Sequence, residues 1–133
     1  MANILIVEDD ANDLRTATAA LKELGLGPVD SAARVSDALR YLEEVVERKR
    51  EAPALIVLDL SLGYESGFEV LRRWKGERRL SQIPIVVWTQ MGEREQELCR
   101  LFGLKHVIAK WTDVSELQNA VKAALNYTDR AAK

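Results

Sequence analysis

At 133 residues the chain has the size of one domain, residues 1–133, with enough length to bury a real core. It is 47% hydrophobic and 30% charged, and its 19 basic and 21 acidic residues leave a net charge of -2, so nothing pulls it over long range toward nucleic acid or a membrane surface. A single cysteine, Cys99, excludes an internal disulfide; no apolar run reaches bilayer-spanning length and the start lacks a signal-peptide pattern, so a cytoplasmic protein without an attached output domain is expected.

In chain order, Asn3–Val7 reads as a buried strand that runs into Glu8, Asp9 and Asp10. A helix follows, with Leu14, Ala17, Leu21 and Leu24 on one face, acidic residues suited to the dipole at its start, and Gly25 as its stop. Residues 28–31 form a weak second strand. Ser36 is the expected cap of a second helix with Ala38, Leu39, Leu42, Val45 and Val46 at helical spacing, closed by a charged end and Pro53.

Leu55–Leu58 is a short apolar run bounded by Pro53 and Gly63, the mark of a strand buried on both faces, and it ends at Asp59. Residues 63–67 are expected to be loop. Ser66 and Glu69 have capping-box spacing ahead of a third helix carrying Phe68, Val70, Leu71 and Trp74. Residues 76–82 are polar and read as loop. A fourth strand, entered through Pro84, ends at Thr89. The fourth helix places Leu98, Leu101 and Phe102 on its apolar side and stops at Gly103. Lys105–Ala109 is the fifth strand, ending at Lys110, and Asp113 and Glu116 open a last helix, with a polar tail from about residue 128.

Five strands alternating with five helices call for an α/β fold, a parallel sheet covered on both faces. Parallel strands bring their carboxyl ends to one rim, where open α/β sheets bind ligands. Glu8, Asp9, Asp59, Thr89 and Lys110 therefore converge there. Carboxylates crowded together repel unless a cation sits between them, and a hard, oxygen-liking ion, Mg2+ above all, suits the cluster. Metal, ammonium and hydroxyl around one carboxylate are what phosphoryl transfer onto that carboxylate needs.

With these residues the chain resembles the response-regulator receiver domain of two-component signalling, in its stand-alone form. The resemblance rests on Val7-Glu8-Asp9-Asp10, on Leu58-Asp59 with Gly67 in the loop behind it, on Thr89 and on Lys110, and it spans essentially the whole length. It implies a flavodoxin-like (βα)5 fold with strand order 2-1-3-4-5. It implies Asp59 as phosphoacceptor, Mg2+ held by Asp9, Glu8, Asp59 and the backbone carbonyl of Ser61, Lys110 paired with the phosphoryl oxygens, and Thr89 turning in to bind one of them. The implied role is phosphorelay signal transduction. A sensor histidine kinase or histidine phosphotransfer protein is the implied donor. The output is a downstream protein, or a second copy, bound through helix 4, strand 5 and helix 5. Neither nucleic acid nor membrane is an expected partner. Self-phosphorylation and autodephosphorylation are weak chemistry, and no enzyme is expected. The extended second helix and the long loop before the fourth strand resemble small receivers paired with phytochrome-type kinases.

Four positions depart from the family. Gly63 replaces a usual proline and predicts a looser loop. Gln90 replaces a small residue after the threonine, where its long side chain would cover the site, slow attacking water or hydrogen-bond the phosphoryl group. Val107 replaces an aromatic, with His106 beside it as a partial substitute. Trp111 replaces the proline after Lys110; a cis bond there would cost about 3 kcal/mol, so trans is expected. Two competing readings remain. A receiver-shaped module that is never phosphorylated would carry Gln90 and Val107 as its marks. A metal-dependent phosphohydrolase with an aspartate nucleophile wants a second aspartate two residues on, and Ser61 stands there. A nucleotide or flavin carrier would not place Glu8-Asp9-Asp10 where its phosphate loop belongs.

The remaining motifs have plainer readings. Arg48-Lys49-Arg50 and the group Arg72, Arg73, Lys75, Arg78 and Arg79 are solvated faces. Cys99, Trp74 and Trp88 pack in the interior, and His106 is structural or exposed rather than a ligand.

Overall fold

The computed structural model describes residues 3–132, with side chains of the last helix described to residue 126. Five parallel strands form the main sheet: β1 (Ile4–Val7), β2 (Val29–Ala32), β3 (Leu55–Leu58), β4 (Ile85–Thr89) and β5 (Val107–Ala109), in the order β2-β1-β3-β4-β5. The helices are α1 (Ala11–Glu23), α2 (Val35–Val46), α3 (Phe68–Gly76), α4 (Glu93–Leu101) and α5 (Val114–Ala132). This is the expected flavodoxin-like order.

Strand residues alternate between two cores, as a period of two requires. Leu5, Val7, Ile56, Leu58, Ile85 and Val87 face α2 and α3 together with Cys99. Ile4, Ile6, Leu55, Val57, Val86 and Trp88 face Ala17, Ala20 and Leu21 of α1 and Leu117, Val121 and Ala124 of α5. Both faces of the central strands are buried, which is why their sequence reads as unbroken apolar runs.

Several local expectations need correction. Residues 61–66 are an antiparallel hairpin, Ser61–Leu62 against Glu65–Ser66, in place of a loose loop. Gly63 opens its two-residue turn at φ +64, a conformation glycine adopts without penalty. Residues 76–82 are not all loop: a short helix, Arg78–Ser81, buries Leu80 completely. Glu77 caps it, accepting from Arg79 N. The capping-box spacing at Ser66 does not start α3; Gly67 is its N-cap, and Ser66 Oγ accepts from Phe68 N at 3.2 Å. Ser36 is not the cap of α2 either. That helix starts at Val35, whose N–H donates to Glu65 Oε1 of the hairpin at 3.2 Å, so the hairpin itself caps α2 from 30 residues away. In α4 the buried residue is Cys99, whereas Leu101 is 69% exposed. The backbone of α5 continues through the stretch expected as tail, whose side chains lie outside the described residues.

A polar network fastens the sheet edge. Asp30 on β2 accepts from Asn3 Nδ2 and from Tyr41 Oη, each at 2.8 Å, and Arg50 lies 4.1 Å from the centre of the Tyr41 ring. The two donors hold the Asp30 carboxyl below its usual range. Arg73 makes a two-point contact with Glu43, joining α3 to α2, so this member of the basic group is paired rather than solvated.

Candidate functional site

Strand register decides what reaches the rim. Val7 pairs with Leu58, and Leu58 with Val87, so the residues that follow β1 and β3 emerge side by side. Asp59 N donates to Val7 O at 3.0 Å and Lys110 N to Thr89 O at 2.9 Å, which carries the alignment past the strand ends. Glu8, Asp59 and Thr89 are buried there, while Asp9 is exposed.

Asp59 is held through both carboxylate oxygens. Its Oδ1 accepts from Thr89 Oγ1 at 2.6 Å and from the Ser61 N–H at 3.0 Å. Its Oδ2 accepts from Lys110 Nζ at 2.9 Å. The Thr89 hydroxyl oxygen also accepts from Leu60 N at 3.3 Å. Thr89 is thus already turned inward, its hydroxyl proton committed to the carboxylate.

The Gly67 backbone presses directly on this segment. A Cβ there would stand 2.4 Å from Asp59 O and 2.8 Å from Leu60 Cα, so only glycine allows the approach. Gly67 N donates to Leu60 O at 2.9 Å, fixing the hairpin base beneath the carboxylate.

Lys110 Nζ, with only 6% of its side chain exposed, contacts three carboxylates: Glu8 Oε1 at 2.8 Å, Asp13 Oδ2 at 2.6 Å and Asp59 Oδ2 at 2.9 Å. It also lies 5.0 Å from the centre of the Trp88 ring, which gives this packing residue a second contact. Burial by itself depresses a lysine pKa, but the hydrogen bonds to Asp13, Glu8 and Asp59 outweigh it and raise Lys110 above its usual range. Burial is the chief cause that lifts the Glu8 carboxyl to about 7; the Asp59 charge adds to it, and Lys110 opposes both.

Oxygen atoms of Glu8, Asp9 and Asp59 all lie within 4.8 Å of one another. An all-oxygen donor set of three carboxylates, two of them buried, fits a hard divalent cation such as Mg2+. One ammonium against this many carboxylates leaves an excess of negative charge that such an ion neutralises.

Asp13 is the member that sequence reasoning missed. It sits in the first turn of α1, four residues after Asp9, and Asp10 Oδ1 fixes its backbone by accepting from Asp13 N at 2.8 Å. Its place in the first turn of the helix that follows the acidic end of β1 was the available signal. Gln90 is exposed and lines a crevice with Ser61, Tyr64, Ser66, Phe68 and Arg94. Val107 opens β5, so His106 sits at the amino end of that strand, across the sheet from Asp59, where it cannot stand in at the site. It lines a separate cleft with Trp74, Ile83 and Gly103. The Lys110–Trp111 peptide is trans, as expected, and Trp111 is 65% exposed. Among the described residues no helix is long and apolar enough to cross a membrane.

Comparison with known proteins agrees with this geometry. Residues 4–122 match the family described as the response regulator receiver domain. Among solved structures, the bacteriophytochrome response regulator AtBRR is 32% identical, with 95% of this chain and 93% of that one covered and a TM-score of 0.77. The phosphorylated cyanobacterial phytochrome response regulator RcpA is 28% identical, over 99% of this chain and 96% of that one, with a TM-score of 0.77. The phosphate regulon transcriptional regulatory protein PhoB of Escherichia coli K12 is 32% identical over 123 residues, which are 92% of this chain and 51% of that protein. The chain spans about half the length of the curated relatives it matches.

Proposed function

The chain belongs to the response-regulator receiver family, and we propose that it serves phosphorelay signal transduction with Asp59 as its phosphoryl acceptor. The observation that carries this reading is the position of one buried carboxylate, 2.9 Å from Lys110 Nζ and 2.6 Å from Thr89 Oγ1, inside a three-carboxylate oxygen cluster. Residues 1–133 form one receiver unit on this reading.

An Asp59 carboxylate oxygen attacks the phosphorus of a phosphohistidine on a kinase or phosphotransfer protein. A new O–P bond forms as the P–N bond breaks, and the electron pair stays on the imidazole nitrogen. Glu8, Asp9, Asp59 and the Ser61 carbonyl are the groups that would hold Mg2+, which when bound neutralises charge on the phosphoryl oxygens. Lys110 places a fixed positive charge against the same oxygens. Thr89, freed from the Asp59 oxygen that becomes bonded to phosphorus, donates its hydroxyl proton to a phosphoryl oxygen instead. Self-phosphorylation from small donors and slow loss of the group to water are side reactions of a signalling domain, not turnover by an enzyme.

A histidine kinase of the phytochrome type is the donor we favour, since AtBRR and RcpA are described as phytochrome response regulators. For output, exposed Leu101 of α4, Trp111 after β5 and Val114 of α5 offer apolar area on the face formed by α4, β5 and α5, suited to a downstream protein or a second copy.

Incubation with acetyl phosphate and Mg2+ should give one phosphoryl adduct by intact mass, stable in acid and labile in base. Asp59→Asn should give none. An unmodified wild type would favour the silent module, rapid release of free phosphate the hydrolase, and an adduct surviving Asp59→Asn a different acceptor.

A further inference from the structure

The proposed reaction uses Lys110, and an ammonium has three protons to place. Each meets a different carboxylate: Glu8 at 2.8 Å, Asp13 at 2.6 Å and Asp59 at 2.9 Å. The phosphoryl group is delivered to Asp59, so only the third of these N–H bonds points where the chemistry occurs. We infer that Asp13 is a positioning residue: with Glu8 it occupies two of the three ammonium protons and thereby aims the remaining N–H at Asp59.

The surroundings separate Asp13 from the other two partners. The side chains of Glu8 and Asp59 are 1% and 5% exposed, whereas that of Asp13 is 35% exposed. Asp13 therefore closes the solvent side of an ammonium that is otherwise enclosed. Its own backbone is anchored by the α1 cap at Asp10, so its carboxylate reaches Lys110 from a fixed base, 97 residues distant in sequence.

Two effects of this carboxylate oppose each other. Its negative charge repels an incoming phosphoryl donor, but it faces solvent, where water and salt screen it. Its hydrogen bond to a buried ammonium is charge-assisted on both sides, the strong class. The positioning effect wins, and removing Asp13 slows phosphoryl transfer rather than speeding it.

This inference rests on Asp59 as the acceptor, and two variants with two readouts keep the questions apart. Asp13→Ala removes the acceptor atom and the charge; Asp13→Asn removes the charge and keeps a carbonyl oxygen in place. The maximal rate of adduct formation from acetyl phosphate at saturating Mg2+ should fall about tenfold in Asp13→Ala. It should stay within about threefold of wild type in Asp13→Asn, on the same scale. In parallel, the Lys110 side-chain ammonium is followed by 15N–1H correlation spectroscopy without any phosphoryl donor. The wild type and Asp13→Asn should show a protected signal, and Asp13→Ala should lose it to solvent exchange. Thermal melts establish that each variant is folded.

Equal rates for the two variants, or a faster Asp13→Ala, overturn the inference in favour of simple charge repulsion. If the wild type takes no phosphoryl group, the acceptor assignment fails. The ammonium signal then decides the positioning role: loss in Asp13→Ala alone upholds it, and the same signal in all three proteins overturns it.

Discussion

Lys110→Met is expected to cost about 3 kcal/mol of unfolding free energy in the presence of a chelator, the range found when one partner of a buried ion pair is removed. Methionine keeps most of the side-chain volume, so the loss is electrostatic. Glu8 and Asp59, both buried, are left without the ammonium that touches them at 2.8 and 2.9 Å. The Asp59 Oδ1 atom retains Thr89 and the Ser61 N–H, and Glu8 can shed its charge by taking up a proton; both limit the damage. Millimolar Mg2+ should recover about half of the loss or more, because a cation among the same oxygens replaces the missing charge. Urea denaturation of both proteins, with chelator and with Mg2+, measures this. Equal stability of the two in chelator would mean that the lysine does not neutralise the cluster. Phosphoryl uptake should fall about a hundredfold, as for the loss of other preorganised donors to a reacting oxyanion.

The second large effect is steric. Gly67→Ala would put a methyl group 2.4 Å from the Asp59 carbonyl oxygen and 2.8 Å from Leu60 Cα. Both are backbone atoms in a segment tied to Val7, Thr89 and Gly67 itself, so the strain cannot be relieved by turning a side chain. Overpacking of this kind costs about 1–3 kcal/mol. The displacement also moves the carboxylate, and a shift of a few tenths of an ångström in a reacting group lowers its rate; a fall of about tenfold or more in phosphoryl uptake is expected. Gly76→Ala is the control. It lies in α3 with nothing within 4 Å of the added carbon, and should be neutral or slightly stabilising. If Gly67→Ala behaves like Gly76→Ala, the close approach beneath Asp59 does not govern the site.

The sheet and the rim were legible because their signals are local. Leu55–Leu58 and residues 85–88 are apolar throughout, as a strand buried on both faces requires. Once the strands are parallel, Glu8, Asp59 and Lys110 meet by topology alone. What escaped notice depends on contacts between distant segments. Glu65 looks like an ordinary loop residue until the hairpin delivers it to the amino end of α2. Leu80 stands alone among charges, and only the interior facing it explains a helical turn at Arg78–Ser81. Leu101 fits the apolar spacing of α4, yet it is 69% exposed and Cys99 takes the buried position. Asp13 is one of several acids near the start of α1, and its distinction is the lysine waiting across the rim.

The central claim is that acids from the first and third strands and a lysine from the fifth surround one ion and one acceptor oxygen. A crystal structure grown with Mg2+ and beryllofluoride, a phosphoryl mimic, tests it most directly. The account predicts the mimic bonded to Asp59, Lys110 Nζ and Thr89 Oγ1 within hydrogen-bond distance of its fluorines, and Mg2+ about 2.1 Å from carboxylate oxygens of Asp9 and Asp59. A mimic bound elsewhere, or an ion held without Asp59, would contradict it.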